Sequence, residues 1–316
     1  MTDGIEPADP VPDGPAHERH RLREESQRAQ ARISTAWGAI VAARPRIPAL
    51  DAAFDVGQRD REVAGGLLAG AIAFRLFLWL VPFAVVVVTL LGVLVEDLDL
   101  SQADLARRFG VAGVVARYVS DAAAQTTGTI VFVLAVGLYA LLIASRSSVR
   151  ALRLAHVLAW RMPIVRFRGT VVAGLWFAAG ATALVLVAGA INTVRASRHG
   201  PGILLLFILM LAVGTVWLFA SWKLPHPPEV PLWGLAPGAI LVAVGVEILH
   251  LVTVLYYAGR IEHSSELYGG LGAAVGLLAW LYLVGRLVIG SAVLNASLWR
   301  RSHPDAVDAP SPLAPG

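Results

Sequence analysis

Ionisable side chains inside long apolar runs are the first feature of this sequence that could do chemistry. Glu247 and His250 interrupt the run from Leu232 to Tyr257, Arg286 interrupts Gly270 to Trp299, and Arg75 interrupts Val63 to Val95. A charge at bilayer depth is costly and seldom faces lipid, so each marks either a packed interior pair or a pathway. Glu247 and His250 fall one turn apart on one helical face, where the histidine is a hydrogen-bond partner or a proton acceptor for the carboxylate. Side chains lean toward the N-terminus of their own helix, so on antiparallel neighbours Glu247 and Arg286 lean toward each other, and a pair between them is the packing expectation. At about 1.5 Å per residue from the expected inner edges, Arg75 lies roughly 17 Å deep, Arg286 roughly 20 Å and Glu247 roughly 22 Å, all near mid-membrane. Two arginines then face one carboxylate. The surplus charge needs a backbone carbonyl, water or an anionic ligand, and a lipid phosphate suits a guanidinium because the two form paired hydrogen bonds. Arg75 reaches the surface instead if its span begins nearer Leu76.

Other chemistries find less support. The eight histidines (His17, His20, His156, His199, His226, His250, His263 and His303) are scattered over tails, links and spans. A metal-dependent nuclease needs clustered His and carboxylate ligands, so no metal and no cofactor are expected. No Ser/His/Asp or paired-carboxylate arrangement falls on facing helices, so catalysis is not expected. The chain has no cysteine, which excludes disulfides and Cys-ligated metals. A net charge of +4 raises nucleic acid as a partner, but the arginines sit beside apolar segments and not in one basic patch. Membrane orientation and anionic headgroups explain them, so membrane lipids are the expected partners and nucleic acid is not.

The elements that position these residues follow from composition. With 57% apolar and 15% charged residues and a mean hydropathy of +0.67, the 316-residue chain reads as an all-α, polytopic membrane protein. Residues 1–32 are expected to be a disordered cytoplasmic tail, and residues 33–62 to form short interfacial helices broken at Pro45 and Pro48. Residues 63–300 hold six expected spans, at about 63–95, 127–145, 169–191, 202–222, 232–257 and 270–299. A short polar link, Ala258 to Gly269, joins the last two. Pro82 should kink the long first span. Residues 96–125, with Leu105, Phe109, Ala112 and Val115 at helical spacing, read as a further interfacial helix. Residues 301–316 form a second disordered tail. Gly66/Gly70, Gly234/Gly238 and Gly272/Gly276 are small-residue pairs suited to close helix packing or oligomerisation.

Arginine and lysine near the span ends set the orientation. Thirteen fall on one side: Arg44, Arg46, Arg59, Arg61, the six arginines from Arg146 to Arg168, Lys223, Arg300 and Arg301. Six fall on the other: Arg107, Arg108, Arg117, Arg195, Arg198 and Arg260. Both termini are therefore expected in the cytoplasm. Arg146, Arg150 and Arg153 share one helical face, as a topology signal or as a contact for phospholipid headgroups.

Several stretches carry a family resemblance. AlaPheArgLeuPheLeuTrpLeuValPro (Ala73 to Pro82), ProGlyAla (Pro237 to Ala239), LeuTyrGlyGlyLeuGlyAla (Leu267 to Ala273) and LeuAlaTrpLeuTyrLeu (Leu278 to Leu283) resemble the YihY/BrkB family over roughly residues 35 to 300. The resemblance implies a six-helix bacterial inner-membrane protein with internal termini. Members have carried a ribonuclease BN label that the scattered histidines do not support; others are associated with serum resistance or proposed to move envelope lipids. The run SerAlaValLeuAsn (Ser291 to Asn295) departs from the family's Gly-Ala-Glu-Leu-Asn-like pattern, placing Val293 where an acidic residue is usual. The function expected is the binding or translocation of an anionic amphiphile by Arg75, Glu247, His250, Arg286 and Asn295. A non-transporting scaffold acting through Arg146, Arg150 and Arg153 is the alternative.

Overall fold

The computed structural model describes residues 41–98, 126–164, 168–197, 202–252 and 261–304, with single helical residues between 27 and 38. The interfacial helix expected at 96–125 lies almost entirely outside the described residues, as do 1–26 and 305–316 of the two expected tails. The chain divides into two compact units, Met1–Phe54 and Asp55–Gly316.

In the first unit, Gln27, Arg28 and Gln30 to Arg32 are helical and exposed. Proline at position 45 starts a 3-10 turn, Arg44–Arg46, that precedes α1, Pro48–Glu62. The Arg44 Nε donates to Asp51 at 2.6 Å, and its guanidinium lies over the Phe54 ring at 5.3 Å. Pro48 at the start of α1, Asp51 in its first turn, and Arg59 and Arg61 in its last all agree with the helix dipole.

Among the described residues, six long helices follow: α2 (Gly65–Leu98), α3 (Thr127–Ala159), α4 (Thr170–Ser197), α5 (Gly202–Lys223), α6 (Ala236–Val252, after a 3-10 turn Leu232–Leu235) and α7 (Ile261–Ser302). Each packs on its neighbour in sequence, and α7 closes the ring by packing on α2 and also on α3. The core lies where α7 meets α2 and α3, around Ala69, Ile72, Leu152, Ala155, Ile289 and Val293. Apolar side chains such as Leu67, Phe132, Trp176 and Phe207 point outward, the inverse of a soluble surface and the pattern of helices solvated by lipid.

Small residues set the closest approaches. A Cβ on Gly285 would lie 2.6 Å from the Ala69 carbonyl oxygen, and one on Gly238 would lie 2.6 Å from the Ser291 carbonyl oxygen. Of the expected glycine pairs, Gly238 therefore carries a tight contact, while Gly70 and Gly276 meet nothing within 4 Å. Indole and hydroxyl groups add polar ties: Trp79 Nε1 donates to Ser145 at 2.8 Å, and Trp217 Nε1 to Ser291 at 3.0 Å. Trp79 also stacks on Phe83 at 4.5 Å and meets Phe177 edge-on at 5.4 Å. The helix runs on through Pro82.

The helices and the expected spans do not share their boundaries. Among the described residues, five helices are long and apolar enough to cross a membrane, over Gly65–Leu90, Thr127–Ala159, Leu206–Lys223, Leu232–Val252 and Ala274–Ser302; the apolar stretch described on α4, Thr170–Leu184, is shorter. The second expected span ends at residue 145, yet α3 continues unbroken to Ala159, because the basic stretch after it contains no helix breaker. Ile261 to Gly269, expected as link, form the first turns of α7. Hydropathy marks where lipid begins, and hydrogen bonding marks where helix ends.

Candidate functional site

The backbone turns sharply where α1 meets α2. Ala64 adopts φ 51, a left-handed conformation that brings Gly65 back against α1 with only Val63 and Ala64 between the helices. The turn holds the charged end of α1 beside the ends of α3 and α7.

Arg59 is the hub of that region. Only 4% exposed, it donates through Nη2 to the carbonyl oxygens of Ala159 at 2.9 Å and Leu158 at 3.3 Å, and through Nη1 to Glu62 at 3.0 Å. Those carbonyls are the last of α3, at the negative end of its dipole, so a guanidinium fork suits them. Glu62 also accepts from Arg161 at 2.9 Å and from Gln58 at 3.2 Å. Burial pushes the Glu62 carboxyl up, but the hydrogen bonds from Arg59, Arg161 and Gln58 outweigh it and hold it below the usual carboxylate range. For Arg59, burial and then the nearby Arg300 charge lower the guanidinium, against the pull of Glu62.

Arg161 reaches Glu62 from an unusual backbone. Met162 N donates to Val157 O at 2.9 Å and Arg161 N to Leu158 O at 3.2 Å, the paired bonds of a Schellman end to α3. Arg161 takes the left-handed position, φ 53, where glycine is favoured.

The residues expected to form an intramembrane site are not brought together. Arg286 pairs with Asp60, not with Glu247: Nη2 lies 2.8 Å from Oδ2 and Nη1 3.1 Å from Oδ1. The expected depth was counted from the end of α7, but the guanidinium is level with the first turn of α2, where a Cβ on Gly65 would lie 3.1 Å from Nη1. Arg286 therefore sits beside the start of a span and its charge is matched. Asn295, 2% exposed, accepts from Gly238 N at 2.7 Å and donates to Leu235 O at 3.1 Å. These bonds satisfy the start of α6, a structural role. Glu247 and His250 are half-buried on the last turns of α6. Because α6 ends at Val252, Glu247 lies nearer one end of that helix than its middle. Val293 is fully buried in the apolar core.

Arg75 behaves differently. It is exposed on α2 beside exposed Phe74 and Leu78, and its Nη1 donates to the hydroxyl of Ser147. No carboxylate pairs with it among the described residues. Arg146, Arg150 and Arg153 do not form one open basic face: Arg146 Nε is buried without a partner, Arg150 is exposed, and Arg153 Nη1 donates to Arg168 O at 2.8 Å.

Reading the sequence counted Arg59 only toward orientation and did not single out Asp60, Glu62 or Arg161. Their signal was present in the i,i+3 spacing of Arg59 and Glu62 on a helix that ends just before an apolar run. Among the described residues, no group of three or more His, Asp or Glu is placed to hold a metal ion. A family model described as Virulence factor BrkB matches residues 58–314. No curated protein and no solved structure matches.

Proposed function

The chain belongs to the Virulence factor BrkB family, and from that premise we propose that it binds or translocates an anionic lipid or similar amphiphile in the bacterial inner membrane. The observation that carries this reading is Arg75, a cation on an outward face among apolar side chains, with the neutral Ser147 hydroxyl as its partner. A guanidinium at that depth is stabilised by an anionic headgroup, which it binds through two hydrogen bonds. The arginine asymmetry supports cytoplasmic termini. Binding and movement, not catalysis, are the proposed work of the chain, and no cofactor is invoked.

Proteoliposomes containing anionic or zwitterionic lipids test the proposal. Headgroup-dependent binding or flipping is expected, with Arg75→Ala weakening it about fivefold, near the value of one basic side chain at a membrane surface. Wild-type behaviour of Arg75→Ala in a folded protein removes the support. The scaffold reading rests on the exposed Arg150. It gains ground instead if Arg150→Glu abolishes the phenotype of the intact cell while lipid movement is unchanged.

A further inference from the structure

The outer face of α3 changes character partway along the helix. Phe132, Tyr139, Ile143, Arg146 and Arg150 recur at helical spacing and share one stripe. Toward the start of α3 that stripe is apolar and turned outward, with Phe132 68%, Tyr139 69% and Ile143 48% exposed. Toward the end it is cationic. From Thr127, where α3 begins, to Arg146 the helix rises about 29 Å, close to the thickness of a hydrocarbon core. The switch from apolar to basic therefore falls at headgroup level.

The neighbouring helix makes room at the same place. A Cβ on Gly174 of α4 would lie 3.2 Å from the Arg146 backbone nitrogen and 3.3 Å from its Cγ, so the arginine stem crosses α4 at a residue with no side chain. Phe177 meets Trp79 of α2 and marks the inner side of α4. On the opposite side of Gly174, Val171 and Leu175 are 40% and 57% exposed. The result is an outward groove with apolar walls and a basic end. Its cations are not matched from within these helices. No aspartate or glutamate occurs between Asp121 and Glu229, a stretch with eight arginines and one lysine. The carboxylates that meet Arg59, Arg161 and Arg286 all come from α1, and among the described residues neither Arg146 nor the exposed Arg150 forms an ion pair.

We infer that an anionic phospholipid of the adjoining leaflet docks in this groove between α3 and α4, its phosphate accepting hydrogen bonds from Arg146 and Arg150 and its chains lying along Ile143, Tyr139 and Leu175. Arg146 Nε is buried, so the donors to the headgroup are the terminal nitrogens of that guanidinium. A soluble anion would use the cations alone, whereas a lipid matches both the charge and the apolar stripe that leads up to it. The inference goes beyond the amphiphile reading. Arg75 reaches Ser147 from α2, while Arg146 packs on α4, so the two cations lie on different sides of α3, and a resident lipid requires no transport.

The test counts lipids on the full chain. Protein in dodecyl maltoside is titrated with phosphatidylglycerol or phosphatidylcholine, and bound lipid is read by native mass spectrometry in the wild type and in Arg75→Ala, which removes the cation of the amphiphile reading. Saturable retention selective for phosphatidylglycerol is expected, and it survives in Arg75→Ala. Arg146→Gln and Arg150→Gln each weaken it about fivefold, as for one basic side chain near a membrane surface. Elution and thermal unfolding at wild-type values without added lipid show that the variants fold, and Arg150→Gln, at an exposed position, decides the outcome if Arg146→Gln does not fold. Equal retention of the two lipids, unchanged retention in the folded variants, or retention lost in Arg75→Ala and kept in Arg150→Gln overturns the proposal. Equal affinity for glycerol phosphate alone also overturns it, since the site would then be one for a soluble anion.

Discussion

A guanidinium is worth what it is paired with, and the arginines here fall into distinct classes. Arg286 and Asp60 form a fork-to-carboxylate pair at 2.8 and 3.1 Å, both partly exposed. A double-mutant cycle with Arg286→Gln and Asp60→Asn is expected to give a coupling of about 1 kcal/mol, discounted for solvent screening, in thermal unfolding in detergent. Arg286→Gln should leave lipid movement per folded molecule unchanged. Glu62 supplies the pH dependence. Its folded carboxyl lies below its ordinary value of 4.5, so its stabilising contribution is fully present above that value and is lost as pH falls through the lower, folded one. Melting temperature is expected to fall in that acid window in the wild type, and to fall less in Glu62→Gln. The identity of polar residues within apolar runs was legible in the sequence, but their partners were not. Asp60 sits 226 residues from Arg286 and outside every apolar run, whereas Glu247 lies inside one, so apolar patterning points to the wrong carboxylate.

At the scale of the element, the strained junctions make opposite predictions. Ala64 and Arg161 both hold positive φ. Ala64→Gly removes that strain and no described hydrogen bond of a side chain, so it should stabilise the fold by about 1 kcal/mol in thermal unfolding. Arg161→Gly relieves the same kind of strain but loses the ion pair to Glu62, so its thermal stability should stay near wild type. Glycine packing gives the contrary case. Gly285→Ala presses a methyl against the Ala69 carbonyl oxygen, a backbone atom that cannot swing away, and is expected to cost about 1–3 kcal/mol. Helix existence and order were readable from apolar length, since every expected span has a helix under it. Helix ends were not, because α3 and α7 run past their apolar stretches through residues that are polar but entirely compatible with helix. Gly70 belongs to a GxxxG pair and meets nothing, whereas Gly285 belongs to no expected pair and meets the Ala69 backbone: spacing along one chain carries no information about which face a partner helix meets.

At the largest scale, the long helices of the second unit form a ring closed by the last of them. α7 packs on α2, α3 and α6, and it carries the buried polar residues Ser291, Asn295 and Ser297. It also supplies Arg286 to Asp60 and Arg301 to Asp55. That arrangement has a consequence for biogenesis. While α7 is still inside the ribosome, the earlier helices have left the exit tunnel with Asp60, the indole of Trp217 and the backbone amide of Gly238 all lacking the partners they will finally have. The nascent chain must be shielded at the insertion site until translation is nearly complete, and chains halted before residue 261 should be degraded rapidly in pulse-labelled cells while those halted after Ser302 persist.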